Sequence, residues 1–264
     1  MARKIVITSG KGGVGKTTVV EGLGVALARL GYKTLLVDMD FGLNNLDVVM
    51  GVENKIIYDL IDIIEGKCRP VQAVIEDMFE NNLFILPSTH TFCKYKFGPK
   101  ELSGIISEME ECFDFILIDC PAGMDGGFRR AIGCGDEFII VTTPHLSAIR
   151  DADKISTLIY SLTNRTPNLV INRARGDMML DGDMLTVESI ENNLNSKLVG
   201  VVPEDDIVST KMFSGRRYIG DSQSEISFNM IAKVLTSDRQ IIYDVTQKYR
   251  GLFGSIRKKL KRRL

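Results

Sequence analysis

Seven short runs in this 264-residue chain are almost wholly apolar: KIVIT (4–8), TLLVD (34–38), LFIL (83–86), FILID (115–119), FIIVTT (138–143), NLVIN (168–172) and KLVGVV (197–202). A strand with one wet face alternates apolar and polar residues. A strand buried on both faces of a parallel sheet does not, and these runs are of the second kind. Helical patterns lie between them. Val20, Leu23, Leu27 and Leu30 recur at helical spacing ahead of a stop at Gly31, and segments 148–161 and 184–194 also read as helices. Strand alternating with helix predicts an α/β fold: a doubly wound, mostly parallel sheet of about seven strands flanked by helices. No linker, repeat or low-complexity tract divides it. The one compositional break is near Lys248, which separates a domain over 1–247 from a tail over 248–264.

The segment after the first run is SGKGGVGKTT. Gly10, Lys11, Gly12, Gly13, Val14, Gly15, Lys16 and Thr17 fit G-x-x-x-x-G-K-[ST] immediately before a helical pattern, the context that a phosphate-binding loop requires. Glycines let the backbone curl until several N–H groups face one point, and the helix N-terminus adds partial positive charge. The loop, with Thr18 behind it, is therefore the candidate nucleotide-binding segment. Lys16 would reach the β- and γ-phosphates, and the Thr17 hydroxyl would bind Mg²⁺.

Three further segments sit at the C-terminal ends of predicted strands, where open α/β sheets bind ligands. In LIDCPAG, Asp119 follows an apolar run as a Walker B carboxylate does and would hold Mg²⁺ through water; Gly123 could offer its N–H to the γ-phosphate. In VDMDFGLNNLD, Asp38 and Asp40 lie two residues apart on one side of the backbone. One of them would orient the attacking water, and Asp40 is the favoured choice, leaving Asp38 with Thr17 and Asp119 on the metal side. In INRAR, the Asn172 amide could read the edge of a purine. Each of these residues also suits an ordinary turn or helix cap. Beside a phosphate loop the functional reading is preferred.

Charge is unevenly placed. Formal net charge is -1, yet from Lys248 onward there are eight basic residues and no acidic one, leaving 25 basic against 34 acidic residues before it. On a helix, Tyr249, Leu252, Phe253, Ile256, Leu260 and Leu264 form one stripe; Arg257, Lys258, Lys261 and Arg262 lie off it. That is the pattern of a helix lying in a membrane surface. A core helix would carry acids on its outer face, and a nucleic-acid arm would not need the apolar stripe. Anionic lipid is thus the expected partner and nucleic acid is not. Each basic residue near an anionic leaflet contributes on the order of 1 kcal/mol. Ordering the helix opposes binding by ~1–2 kcal/mol per residue, so one tail should hold weakly. Two tails acting together gain ~10²–10⁴-fold.

Five cysteines form no CxxC pair and the count is odd. With no signal peptide, this points to a reducing cytoplasm and to thiols packed as small hydrophobes. No apolar stretch is long enough to cross a bilayer. Neither histidine shares a motif.

The second lysine of the loop, Lys11 in KGGVGKTT, marks the deviant Walker A type. With LLVDMDFGLNNLDVVMG, IYDLIDIIEG, LFILPS, LIDCPAG, SAIRDADKI, GDMLTVESI, LVGVVPEDD and the tail, the chain resembles the MinD branch of the ParA/MinD ATPases nearly throughout. The resemblance implies an ATPase that uses Mg²⁺, lies peripherally on the inner face of the cell membrane and helps to position the bacterial division septum. It implies that two subunits close face to face around ATP, that Lys11 reaches the partner's nucleotide, and that hydrolysis releases the dimer. Pro203 and Asp205 would lie near the base. Asp151 and Asp153 match a surface that meets partner proteins, a division inhibitor and a topological factor, although a solvated helix face would read the same. The family usually has Arg where this chain has Asn44, Ser or Ala where it has Cys120, and Glu-Pro where it has Arg216 and Arg217. The alternatives are a partition or flagellar-number ATPase of the same superfamily, an iron–sulfur carrier on the same loop, and an adaptor that binds ATP without turnover.

Overall fold

Side chains of the apolar runs divide between the two faces of one sheet. In the computed structural model, which describes residues 1–41, 45–89, 98–206, 222–237 and 239–251, all seven runs are strands and an eighth joins them. They are β1 (Arg3–Thr8), β2 (Thr34–Asp38), β3 (Ile75–Glu76), β4 (Leu83–Leu86), β5 (Phe115–Asp119), β6 (Glu137–Thr142), β7 (Asn168–Ala174) and β8 (Lys197–Pro203). The sheet order is β3-β4-β2-β5-β1-β6-β7-β8. Pairing is parallel throughout except between β3 and β4. β3 escaped the sequence reading because it contributes only two residues, at the sheet edge, too few to set up a pattern.

The described helices are α1 (Lys16–Arg29), α2 (Leu46–Met50), α3 (Leu60–Ile64), α4 (Pro70–Ala73), α5 (Pro99–Glu108), α6 (Gly126–Ile132), α7 (Leu146–Thr163), α8 (Gly176–Asp181), α9 (Val187–Asn193) and α10 (Gln223–Thr236). Ile5, Ile7, Leu36, Leu117, Ile139 and Val141 point to one face and meet Leu23 and Leu27 of α1 and Phe228 and Ile231 of α10. Val6, Leu35, Val37, Ile116, Ile118 and Ile140 point to the other and meet Ile106 of α5, Phe128 of α6 and Ile155 of α7. Each such side chain contributes ~1.5–3 kcal/mol on burial, and that gain requires both faces to be roofed by helices.

The helix expected over 148–161 is longer by two residues at each end, and two other differences have a clear cause. α9 begins at Val187 rather than 184, because the Thr186 hydroxyl accepts the Ser189 N–H at 3.2 Å and so caps the helix. Tyr249, placed on the tail stripe by spacing, is buried in a 3-10 turn over Gln247–Tyr249, with Lys248 Nζ 5.0 Å from its ring centre. Arg250 pairs with Asp244 at 3.2 Å. Tyr249 thus packs with the body, and the rest of the stripe, from Leu252 onward, is a reading of the sequence alone. Leu252, Phe253, Ile256, Arg257, Lys258, Leu260 and Lys261 lie outside the described residues, as do Asn44, Arg216 and Arg217. Among the described residues no helix is long and apolar enough to cross a membrane.

Candidate nucleotide site

β1 lies between β5 and β6; the chain leaves β1 for β2 on one side and later crosses from β5 to β6 on the other, which opens a crevice at the C-terminal end of β1. The loop over 9–15 fills that crevice and delivers Lys16 as the first residue of α1. Gly13 (φ +79°) and Gly15 (φ +87°) take left-handed conformations that make the curl. Gly10 needs its missing side chain for another reason: a Cβ there would lie 2.6 Å from the main-chain carbonyl of Asp151 in α7.

Parallel pairing of β2 with β5 sets Asp38 directly beside Asp119. Both are buried. The ammonium of Lys16, only 9% exposed, is paired with Asp119 Oδ1, and the Thr17 hydroxyl donates to Asp119 Oδ2 at 2.7 Å. Burial disfavours the charge on Lys16, but the adjacent Asp119 outweighs it and raises the ammonium pKa. Asp38 accepts the N–H groups of Asp40 (2.9 Å) and Leu46 (3.2 Å), which ties down both ends of the segment after β2. Burial, and then repulsion from Asp119, push its carboxyl up to about 7. Asp40 is half-buried; burial raises its pKa, against the opposing charge of Lys16.

These groups fit a small hard cation. Thr17 and Asp119 already bring two oxygens within hydrogen-bond distance, and the Asp38 carboxyl, its pKa raised by burial and then by repulsion from Asp119, stands beside them. Among the described residues no cluster of three or more His, Cys, Asp or Glu could hold a metal unaided. The donor set therefore suits Mg²⁺ shared with phosphates and water, in the manner usual for that ion.

Other sequence-predicted residues fall in different places. The Gly123 N–H, expected to face a γ-phosphate, donates to the Ser9 carbonyl at 3.2 Å. The Asn172 amide, expected at a purine edge, donates to the Val14 carbonyl at 2.8 Å and is buried. Asp205 accepts the Ser224 N–H at 3.4 Å, and the Ser224 hydroxyl donates to the Pro203 carbonyl at 3.3 Å, so this pair anchors the start of α10. Lys11 and Gly12 are exposed on the outer face of the loop, and Thr18 lies in α1. Asp151, paired with Lys154 at 3.3 Å, and exposed Asp153 share α7. Cys120 is buried, its thiol pushed up to about 12 by burial and donating to the Pro121 carbonyl at 3.3 Å, which suits a small hydrophobe rather than a cluster ligand. Sequence reasoning gave His145 and Arg173 no role. Both line a cavity of about 270 Å³ outside the loop, with Lys11, Gly12 and Glu204. The only signal either carried was its position just past a strand.

Comparisons with known proteins agree with this geometry. A family model described as an AAA domain matches residues 2–171. The septum site-determining protein MinD of Bacillus subtilis is 40% identical over 261 residues, 97% of each chain. The MinC:MinD cell division complex of Aquifex aeolicus superposes with a TM-score of 0.84 at 35% identity, covering 92% of this chain and 98% of that one. MinD of Pyrococcus horikoshii, solved with Mg-ADP, gives a TM-score of 0.79 at 30% identity, covering 89% and 96%. At these identities over nearly its whole length, the chain belongs to the MinD family of septum site-determining proteins.

Proposed function

We propose that the chain is a Mg²⁺-dependent ATPase whose nucleotide state governs its hold on the membrane, and that it positions the division septum by bringing a division inhibitor there. The observation that carries this reading is the meeting of Lys16, Thr17 and Asp119 at the mouth of the phosphate loop. A nucleoside triphosphate offers Lys16 a stronger anionic partner than the single carboxylate it now holds. Thr17, Asp38 and Asp119 would then be the groups that hold Mg²⁺, which when bound would neutralise charge on the phosphates. Asp40, half-buried beside this group, orients the attacking water.

Lys11, exposed on the outer face of the loop, reaches the nucleotide of a second copy and ties two chains together. Closure brings two tails beyond Gly251 to one membrane patch, where their basic residues and apolar stripes act jointly. Loss of the γ-phosphate ends the closure and releases both. α7, with Asp151 and Asp153, offers the surface for a division inhibitor and a topological factor; the Aquifex relative was solved in complex with MinC.

The test is co-sedimentation of the full chain, and of a chain ended after Arg250, with vesicles containing anionic lipid under ATP, ADP or no nucleotide. Pelleting should require both ATP and the tail. Equal pelleting of the full chain with ADP and ATP, or none with either, overturns the switch.

A further inference from the structure

The end of β7 spends a polar side chain on the phosphate loop rather than on open space. Its register against β8 slips between Ile171 and Ala174, and Arg173 sits at φ +55°, a left-handed value uncommon outside glycine. Asn172, only 5% exposed, extends its amide from this bulge to the Val14 carbonyl at 2.8 Å. The fit is close on the next residue as well, since a Cβ on Gly15 would lie 2.3 Å from the same nitrogen. A trans peptide is planar, with its C=O and N–H pointing opposite ways. Holding the Val14 oxygen toward Asn172 therefore turns the Gly15 N–H to the opposite side, away from Asn172.

We propose that Asn172 is a positioning residue for the phosphate chain: it fixes the 14–15 peptide plane and so pre-aims a loop N–H, independently of any base. This rests on the nucleotide reading above. A base-reading residue would affect only ligands that carry a base. A loop brace affects every ligand that carries the phosphate chain.

The experiment measures binding of ATP, GTP and inorganic tripolyphosphate, each with Mg²⁺, to the full chain and to Asn172→Ala and Asn172→Asp. Thermal melts of all three chains show whether a variant is still folded. Tripolyphosphate and ATP should both weaken about tenfold in Asn172→Ala, the worth of one lost buried hydrogen bond. They should weaken further in Asn172→Asp, where a carboxylate faces the carbonyl, while the ATP-to-GTP ratio stays put. Unchanged tripolyphosphate affinity in Asn172→Ala overturns the proposal, as does a parent chain that binds ATP but not tripolyphosphate. A parent chain that binds neither overturns the nucleotide reading itself.

Discussion

Asp38 and Asp119 stand side by side in paired strands; Lys16 is paired with Asp119, and its charge also acts on Asp38. The consequence is measurable. A carboxyl raised to about 7 in the folded chain binds protons that the unfolded chain has released, so its contribution to stability falls as pH rises from about 4 to 7 and stays low above. Asp38→Asn should therefore stabilise the nucleotide-free protein at pH 8 by on the order of 2 kcal/mol, after allowing for one weakened backbone bond. The gain should shrink toward pH 5, which denaturant melts at the two pH values would check. A pH-independent gain would show that repulsion is not its source. Asp40→Ala should leave ATP binding and dimerisation intact and lower hydrolysis by about 10² or more, the usual worth of one positioned acid–base group. A phosphate-release assay reads this, and a normal rate would remove Asp40 from the water-positioning role. At this scale the sequence was informative where chemistry is local. Lys16, Thr17 and the carboxylates announce themselves by spacing from a strand end. Gly123 and Asn172 were named from strand ends too, but their hydrogen bonds to Ser9 and Val14 could not be read from spacing, because those partners lie far away in the chain, Val14 being 158 positions from Asn172.

Elements were legible in proportion to how completely they are buried. The central strands read as unbroken apolar runs because both their faces are covered. β3 is a two-residue edge strand and leaves no such trace. Tyr249 shows the converse limit: its spacing suits the tail stripe, but an aromatic ring gains as much by joining the nearby core, and the core took it. The revised stripe begins at Leu252, and Ile256 lies at its centre. Ile256→Glu should detach the protein from anionic vesicles while ATP turnover without lipid stays normal. Retained pelleting would mean that the apolar stripe does not touch the bilayer.

At the scale of the whole molecule, the switch proposed above requires a site at one end of the sheet to control the tail that follows Tyr249. Charge alone cannot do it, because the tail's basic residues are the same in every nucleotide state. Doubling the tails, as proposed above, would do it and would place the control in the site. Lys16→Ala removes the cation that a triphosphate would engage and leaves the tail untouched. It should abolish ATP-dependent pelleting altogether, and pelleting equal to the parent chain would separate the tail from the site.

Gly10 rests bare against the main chain of Asp151, with no side chain between them. A spacer there would have absorbed small shifts, as a washer does between two plates. Without one, the loop has no slack on that side, and any side chain at position 10 would have to displace either the loop or α7.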